Sequence, residues 1–121
     1  MDKHLLNDVN AAIEVIREFE SEKRAVAVIV KHSNACGVAL RNNAIGAYLA
    51  AFDCDRQSAF GGVVALNVNI DKQTAVAICN TFTEIVVAPS VDSDAIVEFS
   101  KQKNLRLLTL KKEYFLAIWN N

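Results

Sequence analysis

The 121-residue chain is 52% hydrophobic and 22% charged, with 13 basic and 14 acidic side chains and a net charge of −1. Such apolar content predicts a packed core rather than disorder, and the length suits a single domain, 1–121. No apolar run nears the ~20 residues that span a bilayer, Met1 to Leu6 lacks a signal peptide's apolar region, and the basic cluster of Lys101, Lys103, Arg106, Lys111 and Lys112 has no stacking aromatics, so neither membrane nor nucleic acid is an expected partner.

Asn7 or Asp8 is the predicted cap of a first helix, whose apolar positions Val9, Ala12, Ile13, Ile16 and Phe19 recur at helical spacing. Polar Glu20 to Arg24 connects it to Ala25–Lys31, an apolar run that does not alternate and therefore predicts a strand covered on both faces. Ile45, Tyr48, Leu49 and Phe52 mark a second helix, which ends in polar Asp53 to Arg56. Gly61-Gly62 opens a strand over Val63 to Leu66. Asp71 caps a third helix with Ala75, Ile78, Cys79 and Phe82 on its apolar stripe.

Ile85 to Ala88 reads as another buried strand, stopped by Pro89, the only proline. Ser90 to Asp94 lead into a fourth helix carrying Ala95, Ile96 and Phe99, and Leu105 to Leu110 forms the last strand. Helices alternating with short β-branched runs predict an α/β fold, a three-layer α/β/α sandwich with a mostly parallel or mixed sheet. Residues 111–121 form a tail in which Tyr114 to Trp119 are strongly apolar, fit for a last helix or a partner surface. Cys36, Cys54 and Cys79 are odd in number and form no CxxC pair. They predict reduced thiols in a cytoplasmic protein and supply no zinc site.

Chemistry concentrates where the first strand ends. Lys31 and His32 are followed by Ser33, Asn34, Ala35, Cys36 and Gly37. An imidazole, with its ordinary pKa of about 6.5, passes protons at neutral pH, and a neighbouring ammonium stabilises developing negative charge. Consecutive strand residues face opposite ways. Both groups reach one site only if the backbone breaks at His32, and Gly37 with the polar residues before it is the expected cause. A second constellation, Asp55 to Gly62, offers Phe60 as a flat stacking face and Gly61 and Gly62 as places where backbone amides approach a ligand. Glu84, at the mouth of the Ile85 strand, is a candidate acceptor for a ligand amine or amide. A parallel arrangement of the Ala25 and Val63 strands would put Phe60 and His32 at opposite sheet edges, so a shared site needs a mixed sheet or a second chain.

Three ordered stretches, Lys31 to Ala39, Asp55 to Asn67 with its Ser58-Ala59-Phe60-Gly61-Gly62 core, and Glu84 to Pro89, resemble the bacterial bifunctional purine-biosynthesis enzymes, specifically their AICAR (aminoimidazole carboxamide ribonucleotide) transformylase part. The likeness covers about residues 5 to 110, including Leu6 to Ala12 and Asn104 to Leu108. It implies a cytidine deaminase-like subdomain without that fold's zinc ligands. It also implies formyl transfer from the cosubstrate 10-formyltetrahydrofolate to AICAR, with active sites built at a dimer interface. Carried over, Lys31 and His32 are catalytic, while Asn34, Phe60, Gly61, Gly62 and Glu84 bind substrate.

The family usually has proline where this chain has Ala35 and Arg56, and Glu20 to Arg24 add length before the first strand. The whole enzyme is several times longer. The resemblance therefore implies a fragment or split piece, inactive alone, that pairs as a homodimer or with the missing transformylase subdomain. A non-catalytic remnant that binds a nucleotide weakly, or serves as an interaction module, is the alternative.

Overall fold

The computed structural model of the chain describes residues 3–111, so the apolar stretch Tyr114 to Trp119 lies outside the described residues. Helix α1 (Lys3–Glu18) leads to strand β1 (Ala25–Lys31) and directly to β2 (Asn34–Arg41); α2 (Ala44–Cys54), β3 (Val63–Leu66), α3 (Lys72–Cys79), β4 (Ile85–Ala88), α4 (Ser93–Ser100) and β5 (Arg106–Thr109) follow. The five strands lie in the order β2-β1-β3-β4-β5. β1 is antiparallel to both β2 and β3, whereas β3, β4 and β5 run parallel. The sheet is mixed.

Every residue of β1 from Ala25 to Val30 is buried because the strand's two faces meet different helices. Val26, Val28 and Val30 pack with Val63, Ala65, Ile85 and Val87 against Val9, Ala12, Ile13 and Ile16 of α1. Ala25, Ala27 and Ile29 pack with Val64, Leu66 and Val86 against α2, α3 and α4. The result is an α/β/α sandwich. Each fully buried valine or isoleucine of the central strands stabilises it by about 1.5–3 kcal/mol relative to exposure.

Small residues set the spacing on the α2 side. A Cβ on Gly37 would lie 2.0 Å from the Ala51 carbonyl oxygen, so α2 sits as close to β2 as a glycine allows. Gly37 is therefore inside a strand, paired with Ile29. It does not break the chain after Lys31, as the sequence suggested.

Several element ends differ from the sequence reading. α1 already includes Lys3, so neither Asn7 nor Asp8 caps it, and the Asp8 carboxylate accepts from the Ser33 amide instead. Asp71 does cap α3, accepting from the Thr74 amide at 3.1 Å. That helix ends at Cys79, which leaves Phe82 exposed rather than on the core stripe. Leu49 and Ile96 also turn outward, at 47% exposure each, since α2 and α4 bury narrow faces of mainly small residues. Strand β2 was not foreseen.

Candidate functional site

The chain leaves its extended conformation immediately after Lys31. Lys31 pairs with Asn34, and the two residues between them, His32 (φ 53°) and Ser33 (φ 63°), both lie in the left-handed region. Two consecutive positive φ values make the tight turn that suits the twist of an antiparallel hairpin. Glycine or asparagine is the usual occupant, and a non-glycine residue there costs about 1–2 kcal/mol. Side-chain bonds support the turn. The Ser33 amide donates to the Asp8 carboxylate at 2.6 Å, and Asn34 Nδ2 donates to the His32 carbonyl at 3.3 Å.

Because β1 and β3 are antiparallel, with Val30 opposite Val63, the end of β1 lies beside the start of β3. Val63 in turn pairs with Ile85 of β4. Lys31, Gly62 and Glu84 therefore share one rim of the sheet, which is the amino end of the parallel strands. Ligands of open α/β sheets more often sit at the carboxyl ends; the antiparallel β1 reverses that geometry here.

Two clefts adjoin at this rim. One, of about 360 Å³, is lined by His4, Leu5, Asp8, Lys31, His32, Gly62 and Glu84. The other, of about 520 Å³, is lined by Lys31, His32, Asn34, Ala35, Cys36, Asp55, Gln57 and Ser58. Lys31 and His32 belong to both. The structure thus brings Lys31, His32, Gly62 and Glu84 together in the first cleft and adds Asn34 in the second. Gly61 and Phe60 line neither of these two.

Phe60 is joined to the pair through its backbone: the Lys31 ammonium donates to the Phe60 carbonyl at 2.6 Å, leaving other N–H donors of the same group. Its ring is half exposed and meets Phe52 edge-on at 6.4 Å, while the Arg56 guanidinium lies 5.9 Å from the Phe52 ring centre. The two glycine amides are engaged within the protein rather than presented to a ligand. Gly61 donates to the Phe82 carbonyl at 2.7 Å, and Gly62 donates to Glu84 Oε1 at 3.3 Å. Glycine is required at residue 62 for another reason. Its φ is +89°, and a Cβ there would sit 2.3 Å from the Val30 carbonyl oxygen. One Glu84 oxygen is fixed by this contact, which keeps acceptor capacity at the first cleft.

Three residues at the site had no role assigned from the sequence. Asp8, buried in mid-helix, looked like a cap; aspartate followed by an apolar helical stripe carries no other signal. Cys36 donates weakly to the carbonyls of Ile29 and Ser58, and burial raises its thiol pKa. Hydrogen bonds from Ser58 hold the Asp55 carboxyl below its ordinary value and brace the loop that floors the second cleft. Among the described residues, no three His, Cys, Asp or Glu side chains gather as a metal-ligand set. No helix among them is long and apolar enough to cross a membrane.

The α/β/α sandwich thus carries a cation and an imidazole at the start of a hairpin turn shared by two clefts, the candidate site of the molecule. Comparison with known proteins shows its family. The family model described as AICARFT/IMPCHase bienzyme matches residues 4–117, further than the likeness legible in the motifs. The chain belongs to this family. It is similar to proteins named bifunctional purine biosynthesis protein PurH: 51% identical over 104 residues in Paracoccus denitrificans and 52% over 104 residues in Jannaschia sp., each match covering 86% of this chain. The Ruegeria pomeroyi protein of that name is 52% identical over 103 residues, or 85% of this chain. The chain spans 20% of the length of these relatives.

Proposed function

We propose that this chain is part of the formyl-transfer half of the bienzyme, carrying the formyl group of 10-formyltetrahydrofolate to the amino nitrogen of AICAR in purine biosynthesis. One observation carries this reading: Lys31 and His32 are shared by two adjoining clefts. A transfer between two bound molecules needs its acid–base groups at such a junction. Ring closure of a single substrate, the other activity in the family's name, needs only one cavity.

In this reading the amino nitrogen of AICAR attacks the formyl carbon, and the carbonyl electron pair moves onto oxygen. The Lys31 ammonium, steadied by the Phe60 carbonyl, faces that oxygen and stabilises its charge. His32 takes the proton from the attacking nitrogen and returns it to N10 as the bond between formyl carbon and N10 breaks and tetrahydrofolate leaves. Glu84, held by the Gly62 amide, accepts from an amino or amide group of the nucleotide, while Phe60, whose ring lines neither cleft, acts through the carbonyl that holds Lys31. Asn34 lies in the folate-side cleft. The reading brings with it the cytidine deaminase-like subdomain and a second chain or subdomain, homodimer or split partner, that completes both clefts. The isolated chain then binds AICAR weakly and turns over negligibly.

Magnetic resonance on the isotopically labelled chain tests this. AICAR is expected to shift signals of His32, Gly62 and Glu84, and 10-formyltetrahydrofolate those of Ala35 to Ser58, with the signals of Lys31 and His32 moving for both. Silence with both ligands overturns the reading. A response to AICAR alone favours the remnant that only binds nucleotide.

A further inference from the structure

We infer that Asp8 is a positioning residue for the Lys31–His32 pair: its carboxylate clamps the Ser33 amide and so holds two consecutive non-glycine residues left-handed. Asp8 is 5% exposed, yet it sits in the second turn of α1, where an alanine would suit the helix better. Its oxygen meets the Ser33 amide at 2.6 Å and the Ser33 hydroxyl at 3.5 Å. A buried carboxylate is retained at such a place only if its partner compensates for lost hydration, and a charge-assisted bond to a backbone amide does so.

The geometry explains why the clamp matters. β1 alone would send Lys31 and His32 to opposite faces of the sheet. The left-handed turn brings both to the same pair of clefts, and it is a conformation that serine resists. α1 packs on the β1 face opposite α2, so Asp8 couples the position of that helix to the imidazole. The role as a positioning group rests on the formyl-transfer reading of Lys31 and His32; the clamp itself does not.

Asp8→Ala, Asp8→Asn and Asp8→Ala/Ser33→Gly in the full chain separate these levels. Amide exchange of residue 33, divided by that of Val28 in the sheet centre, reports local opening without global unfolding. Asp8→Ala is expected to raise this ratio about tenfold or more and to weaken AICAR binding by a similar factor. Asp8→Asn, which keeps an acceptor oxygen, restores both. In the double variant glycine holds the turn unaided, so AICAR binding recovers.

An unchanged exchange ratio in Asp8→Ala overturns the clamp. Failure of both rescues means that Asp8 touches the ligand directly, which overturns the positioning role, as does AICAR affinity indifferent to Asp8→Ala. If the wild-type chain binds no AICAR while the exchange ratio still responds and Asp8→Asn restores it, the clamp stands and the formyl-transfer reading falls.

Discussion

A Cβ at Gly62 would lie 2.3 Å from the Val30 carbonyl oxygen, and the residue's φ of +89° excludes most other side chains. Gly62→Ala should cost about 2–4 kcal/mol in a denaturant melt, because strain and overlap add. Unchanged stability would mean that β1 and β3 are not in the register described. His32 poses the opposite case. Asparagine also tolerates a left-handed φ, so His32→Asn should leave stability within about 0.5 kcal/mol of the parent while removing the imidazole.

The cysteines give a pH-dependent signature. Burial raises the pKa values of Cys36 and Cys79 above 9.0, while Cys54 is exposed. A thiol reagent at about pH 8 should therefore modify Cys54 first. Since the unfolded chain ionises these two thiols before the folded one does, their contribution to stability is complete below pH 9.0 and falls as the pH rises through the folded values.

At the scale of elements, periodicity reveals the parts that are buried on one stripe or on both faces. Val9 to Ile16 and the unbroken Ala25 to Val30 run behave as their patterns predict. β2 stays hidden because Asn34, Ala35, Cys36, Gly37 and Ala39 lack the β-branched residues that mark a strand, and its outer residues are half covered. The site was legible as motifs, yet the reason for each residue was not. Gly37 serves helix approach and Gly61 and Gly62 serve the backbone, while Asp8 looked like a cap.

Tyr48 on α2 is a further element-level case. It is 1% exposed, and its hydroxyl meets hydrogen-bond geometry with no group among the described residues, although Thr81 is near enough to influence it. Tyr48→Phe should then be neutral or stabilising by about 1 kcal/mol in thermal melts, because no bond is lost. A loss of about 1 kcal/mol or more would show that the hydroxyl is satisfied.

For the whole molecule, the antiparallel β1 is the decisive feature. It brings the carboxyl end of one strand to the amino ends of the four others, which is why Lys31, Gly62 and Glu84 meet although 53 positions separate the first from the last. Sequence pattern identifies buried strands but not their direction, so this meeting could be stated only as a condition. The chain spans 20% of its relatives' length.

The most direct test places the 104-residue stretch of this chain that aligns with the Paracoccus denitrificans relative in the position of that relative's own segment. Formyl transfer to AICAR and ring closure of the formylated product are then measured with and without His32→Asn. The expected result is a loss of transfer by about 10²–10⁴-fold with ring closure unchanged. Ring closure lost while transfer persists would contradict the assignment of the Lys31–His32 turn to formyl transfer.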